Sequence, residues 1–146
     1  MKARDIMTAN PSAVTPRDTV AHAAEIMRDL DVGIVPVVDD QSTMRLEGVL
    51  TDRDIAVRCV AKGHQAECRV SDHMTTDHLD VVRADADVRD VIAKMEADQV
   101  RRIPVVADGS RLVGIIAQAD LAVKLGPKDP TLVEEVVERI SAPTHH

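Results

Sequence analysis

The chain contains no phenylalanine, tyrosine or tryptophan among its 146 residues. Without aromatic rings it cannot build stacking platforms for bases or cages for quaternary cations, and its core must come from Val, Ile, Leu, Met and Ala. Cysteine is nearly as scarce. Cys59 and Cys68 allow one bridge at most, which excludes a disulfide scaffold. No apolar run approaches the roughly 20 residues of a membrane span, so no membrane partner is expected. Positive charge is in the minority, with 18 Lys and Arg against 25 Asp and Glu and a net charge of -7, which leaves no electrostatic footprint for nucleic acid. Met1-Lys2-Ala3-Arg4-Asp5 opens without the apolar stretch of a signal peptide, so a cytoplasmic location is expected. His145-His146 read as native residues or as the end of a tag, and are set aside. A hydrophobic content of 45% beside 29% charged residues is that of a globular domain. The length suffices for one substantial core and is short for two independent ones.

What is present is a duplication. Asp5-Ile6-Met7-Thr8 recurs as Asp72-His73-Met74-Thr75, Ile34-Val35-Pro36-Val37-Val38 as Arg102-Ile103-Pro104-Val105-Val106, and Gly48-Val49-Leu50-Thr51-Asp52-Arg53-Asp54-Ile55 as Gly114-Ile115-Ile116-Ala117-Gln118-Ala119-Asp120-Leu121. The spacing predicts a first repeat over 1–63, a linker over 64–69, a second repeat over 70–126, and a C-terminal helix and tail over 127–146. Each repeat reads β-α-β-β-α, an α/β (α+β) fold whose two halves pack about a pseudo-two-fold axis. Brief strands are expected at Ser12–Thr15 and Leu79–Arg83. Helices capped by Asp18 and Asp87 follow, the first with Val20, Ala23, Ala24, Met27 and Leu30 on one face. Two β-branched runs then form a hairpin, and a last helix runs from Asp52 or Gln118 to a glycine cap at Gly63 or Gly126. In the tail, Asp129 caps, Pro130 opens a helix, and Leu132, Val133, Val136, Val137 and Ile140 make an apolar stripe. A partner subunit or the body of the chain would cover it.

These ordered motifs, present twice over residues 3–126, resemble a tandem pair of cystathionine β-synthase (CBS) domains, a Bateman module. Leu50-Thr51-Asp52-Arg53-Asp54 is similar to small stand-alone members. The resemblance implies a regulatory ligand sensor rather than an enzyme, with no cofactor required. Its ligands would be adenosine-containing (AMP, ADP, ATP, S-adenosylmethionine or NAD), bound in clefts between the repeats. It also implies a homodimer and an effector protein that the sequence does not name. The Thr and Asp of the family motif face a ribose, and the chemistry fits: an ionised carboxylate can accept from both vicinal hydroxyls. Asp52 and Asp54 also read as plain helix-starting residues. By the same resemblance the better site comprises Thr51, Asp54, Val49, Arg53, Leu79, Asp80 and Val81, with Arg101 and Arg102 for phosphates. Those two arginines could instead pair with Glu96 and Asp98. A weaker site comprises Asp120, Ile115, Ser12, Ala13, Val14, Gly33 and Ile34. It lacks the hydroxyl, because Ala117 stands where Thr51 stands.

Cys59, His64, Cys68, His73 and His78 lie around the junction of the repeats. Their types suit zinc, but their spacing matches no finger, so no metal site is assigned and Cys59 is expected in the core. A metal-binding protein or a ligand-independent dimeric scaffold in a stress response are the alternatives. Ser71-Asp72-His73 reads as a helix start, because neighbours in a turn cannot assemble a triad.

Overall fold

The computed structural model describes residues 1–65, 67–127, 131 and 134, and shows a mixed α/β chain. The expected tail helix lies outside the described residues. The chain divides into two compact units that cross the repeat boundaries: one holds Ser12–Leu79 with Gly109–Leu112, and the other holds Met1–Pro11, Asp80–Asp108 and the chain from Val113 onward.

In the first unit, helix α2 (Val20–Leu30) precedes an antiparallel hairpin of β2 (Ile34–Val38) and β3 (Leu46–Thr51), with a bulge between Val37 and Val38. Pro36 sits mid-strand opposite Val49. Its missing N–H costs nothing there, because Val49 turns its own N–H and C=O outward to Thr75, at 3.0 and 2.8 Å. The expected strand at Ser12–Thr15 is reduced to one parallel bridge, Val14 to Val37. The cap of α2 is Thr19, not Asp18. Thr19 Oγ1 accepts the His22 N–H at 3.1 Å, while Asp18 accepts from Thr15 N at 2.8 Å and closes the preceding turn. Leu30 is 54% exposed rather than on the buried stripe, and Ile26 packs on the core in addition to Ala23 and Met27. The core joins these to Val14, Val35, Val37, Leu50 and Val70. Thr19→Ala should cost about 1 kcal/mol, read as a lower urea midpoint with an unchanged slope in circular dichroism.

The turn between β2 and β3 is tied by two carboxylates. Asp39 accepts from the Thr43 hydroxyl, from Asp40 N at 2.7 Å and from Arg45 N at 3.0 Å. Asp40 accepts from Ser42 N and Oγ at 2.6 and 2.5 Å and from Thr43 N at 3.1 Å. The Thr43 hydroxyl above all holds Asp39 below the usual carboxylate range, and the Ser42 hydroxyl does the same for Asp40. A lowered folded pKa gives stability that is present above the unfolded value of about 3.9 and is lost as pH falls through the folded value. Asp39→Asn should therefore melt below wild type at pH 7, and the gap should close on acidification below pH ~4. Parallel thermal melts across pH would check this.

In the second unit, the Ala3–Ile6 helical turn (α1) leads into β1 (Thr8–Ala9). Strand β1 pairs antiparallel with β6 (Arg111–Ala117), and the sheet continues through β5 (Arg102–Ala107) to β4 (Val82–Arg83), which is parallel to β5. The strand expected at Leu79–Arg83 shrinks to β4, Val82–Arg83. Helix α4 (Val88–Asp98) starts at Asp87 as expected, whose carboxylate accepts from Arg89 N at 2.9 Å, and it buries Val88, Val91, Ile92 and Met95. Helix α5 (Gln118–Leu125) adds Leu121 and Leu125 to that core. Gly63 takes the expected left-handed turn at φ 76°, whereas Gly126 stays right-handed at φ -49° and is no left-handed cap.

No helix among the described residues is long and apolar enough to cross a membrane.

Candidate functional site

Thr51 ends β3 in an extended conformation and caps the single α-helical turn Asp52–Asp54 (α3), which continues as a π-helix over Ile55–Val60. The two ends of this cap are reciprocal. Thr51 Oγ1 accepts the Asp54 N–H at 3.0 Å, and Asp54 Oδ2 accepts the Thr51 N–H at 3.0 Å. Asp54 is only 9% exposed. Two further groups reach its carboxylate: the Thr75 hydroxyl, 3.3–3.4 Å from both oxygens, and Arg58 Nε, 3.7 Å from Oδ1. Thr51 and Asp54 are thus helix-starting residues, and they also hold a buried anionic acceptor in a fixed orientation.

Thr75 was not legible as a site residue. It arrives because the Asp72-His73-Met74-Thr75 segment crosses β3 beside Val49. That crossing is close enough that a Cβ at Gly48 would sit 2.6 Å from the Thr75 carbonyl oxygen, so only glycine fits. The second unit repeats the device. Thr8 pairs with Ile115, a Cβ at Gly114 would meet the Thr8 oxygen at 2.9 Å, and Thr8 Oγ1 donates to Asp120 Oδ1 at 3.1 Å. Asp120 Oδ2 accepts the Ala117 N–H at 2.8 Å, but Ala117 supplies no side-chain cap in return. The signal for both threonines was in the sequence, as the last residue of each Asp-x-Met-Thr motif.

The remaining candidates fall into the two units as follows. Val49, Arg53, Leu79, Ser12, Ala13, Val14, Gly33 and Ile34 belong to the unit of Asp54, and Asp80, Val81, Arg101, Arg102 and Ile115 to that of Asp120. Arg53 and Arg101 are exposed, and Arg102 is half-buried. Val14 is fully buried, and its N–H and C=O are engaged by Pro36 and Val38. Gly33 accepts the Asp52 N–H at 2.9 Å and lies under the Asp52 carboxylate. Lys94 lies between two carboxylates, 3.9 Å from Asp80 and 3.3 Å from Asp98. Burial and then the Asp98 carboxylate push Asp80 up, while the Asp80 carboxyl and then Lys94 hold Asp98 down.

Three of the five junction residues converge. Ligand atoms of Cys59, Cys68 and His73 all lie within 4.8 Å of one another. The His64 ring is tilted against that of His73, with Nδ1 3.4 Å from Nε2. His78 is exposed and outside the group. Burial, and next the neighbouring Cys68, pushes the Cys59 thiol up.

Paired carboxylate cradles on duplicated α/β halves define a tandem regulatory module, and the chain belongs to the CBS-domain family, whose pattern matches residues 3–60 and 70–126. CBS-domain proteins are regulatory ligand-binding modules. Among its relatives, the chain is 39% identical over 120 residues to hypoxic response protein 1 of Mycobacterium tuberculosis, covering 82% of each chain. It is 40% identical over 120 residues to the CBS domain-containing protein YhcV of Bacillus subtilis, again covering 82% of each. A crystal structure of hypoxic response protein I with two coordinated zinc ions superimposes with a TM-score of 0.75 at 37% identity, over 86% of this chain and 99% of that one. The structure of CBSX2 in complex with AMP gives a TM-score of 0.72 at 28% identity, over 87% and 98%.

Proposed function

We propose that this protein is a sensor of an adenosine-containing ligand of the AMP, ADP or ATP class, acting without catalysis of its own. Asp54 takes the ribose, and occupancy is passed to an effector protein in the cytoplasm by a homodimer. The observation that carries this reading is the state of the Asp54 carboxylate. It is buried, pinned by the Thr51 N–H, and otherwise met by Arg58 Nε at 3.7 Å and by the Thr75 hydroxyl at the long distance of 3.3–3.4 Å. A sugar diol offers the same donor type twice, and shorter charge-assisted bonds of about 2.5–2.7 Å would replace that contact. The AMP held by the CBSX2 relative supports the ligand class. Calorimetric titration of AMP, ATP, S-adenosylmethionine and NAD into the folded, nucleotide-free protein tests it. Saturable heat from at least one is expected; none from all four would overturn the reading.

A second reading is that the chain also holds metal. The zinc in the hypoxic response protein relative supports it, and the grouping of Cys59, Cys68 and His73 favours it here.

A further inference from the structure

We infer that Cys59, Cys68 and His73 supply three of the four ligands of a tetrahedral site for a thiophilic divalent cation of the zinc class, with His64 as the outer contact that orients His73. This rests on the metal-binding reading and names its ligands. Two thiolates and an imidazole are a donor set that selects zinc over the hard cations. With Zn–S near 2.3 Å and Zn–N near 2.0 Å, ligand atoms around a tetrahedral ion stand roughly 3.5–3.8 Å apart. The three donor atoms lie within 4.8 Å of one another, so closing on an ion takes side-chain adjustments of about an ångström.

The fold brings these residues together from separate segments. Cys59 comes from the π-helical stretch, and its widened turn is a feature that often marks functional sites. The loop after it folds back: His64 N donates to Cys59 O at 3.0 Å, and the Cys59 thiol faces the carbonyls of His64 and Gln65 at 3.8 and 3.7 Å. Cys68 follows that loop, and His73 caps the 3-10 turn Val70–Asp72 and is 3% exposed.

A buried thiol facing two carbonyl oxygens has no reason to ionise by itself. A cation supplies the missing charge, so binding releases the thiol protons and weakens as pH falls. The imidazole of His64 is tilted against His73 with its Nδ1 3.4 Å from His73 Nε2, where outer partners of metal-bound histidines stand, and losing such a partner typically costs 10–100-fold in affinity.

The absence of Tyr and Trp leaves the near ultraviolet clear, so Co2+ can be followed by its thiolate charge-transfer absorption. The protein used is the full chain, reduced, with His145 and His146 replaced by Ala. One Co2+ per chain is expected, with a thiolate band displaced by one Zn2+. Cys68→Ser should lose about half the band and at least tenfold in Zn2+ affinity, and His64→Ala should keep the band while binding about 10–100-fold more weakly. Circular dichroism melts of each variant show that it is folded. Metal bound without a thiolate band, or with affinity unchanged in Cys68→Ser, would overturn this ligand set and leave the metal-binding reading standing. No metal bound by the reduced wild type would overturn both. Thiols that react equally fast with and without Zn2+ also count against the site.

Discussion

Asp54→Ala should abolish adenosyl-ligand binding, with affinity falling at least about a hundredfold. A ribose diol on an ionised carboxylate makes two hydrogen bonds of the charged kind, worth about 1.5–3 kcal/mol each, and every 1.4 kcal/mol is tenfold in affinity. The same substitution removes the partner of the Thr51 N–H, so part of its effect would be a loss of stability near 1 kcal/mol. Asp54→Asn separates the two effects. Its amide oxygen can still accept from Thr51 N, so the helix start survives, but the charge and half of the acceptor capacity are gone. A folded Asp54→Asn protein that binds about tenfold or more weakly is the expected result. Full affinity in either variant, or a larger loss in Asp120→Ala than in Asp54→Ala, would show that the ribose is not held at Asp54. Weaker binding is expected at Asp120, because Ala117 cannot give the Asp120 N–H the hydroxyl acceptor that Thr51 gives the Asp54 N–H.

The elements that could be read from sequence were those encoded locally. The Asp87 cap and the period of Val88, Val91, Ile92 and Met95 placed the start and the buried face of α4, because both signals lie within one helix. The hairpin β2–β3 was legible from its β-branched runs. The cap of α2 was misplaced by one residue because Asp18 and Thr19 are both good caps. The choice was made by Thr15, whose N–H takes the Asp18 carboxylate into the preceding turn. Short strands such as β4 and the bridge at Val14 depend on partners distant in sequence, so their extents were not encoded locally. The same holds for the site. Thr51 and Asp54 were found because they stand in the duplicated motif that resembles the family's, whereas Thr75 reaches Asp54 from 21 residues away. The metal-type cluster shows the same limit: no ligand spacing along the chain announces a site whose members meet only after the π-helical turn and its loop fold back.

Gly48→Ala should destabilise the protein by about 1–3 kcal/mol, the range for forcing a methyl group into a packed position. Gly48 is not in a left-handed turn; what it provides is clearance. The new Cβ would stand 2.6 Å from the Thr75 carbonyl oxygen and 3.4 Å from Thr76 Cγ2. The obstructing oxygen is backbone and cannot rotate aside, so the Thr75 segment must lift from β3. That strains both Val49–Thr75 hydrogen bonds and draws the Thr75 hydroxyl away from Asp54. Ligand affinity should therefore fall along with stability. Gly114→Ala is the internal control. It meets Met7 and the Thr8 oxygen and disturbs the support of Asp120, so a comparable loss of stability is expected with the Asp54 affinity spared. Urea denaturation followed by circular dichroism gives the stabilities, and calorimetry gives the affinities. Equal losses of affinity in the two variants would mean that the ligand does not distinguish the Asp54 cradle from the Asp120 cradle. Unchanged stability in Gly48→Ala would mean that the crossing of Thr75 over β3 is looser than 2.6 Å implies.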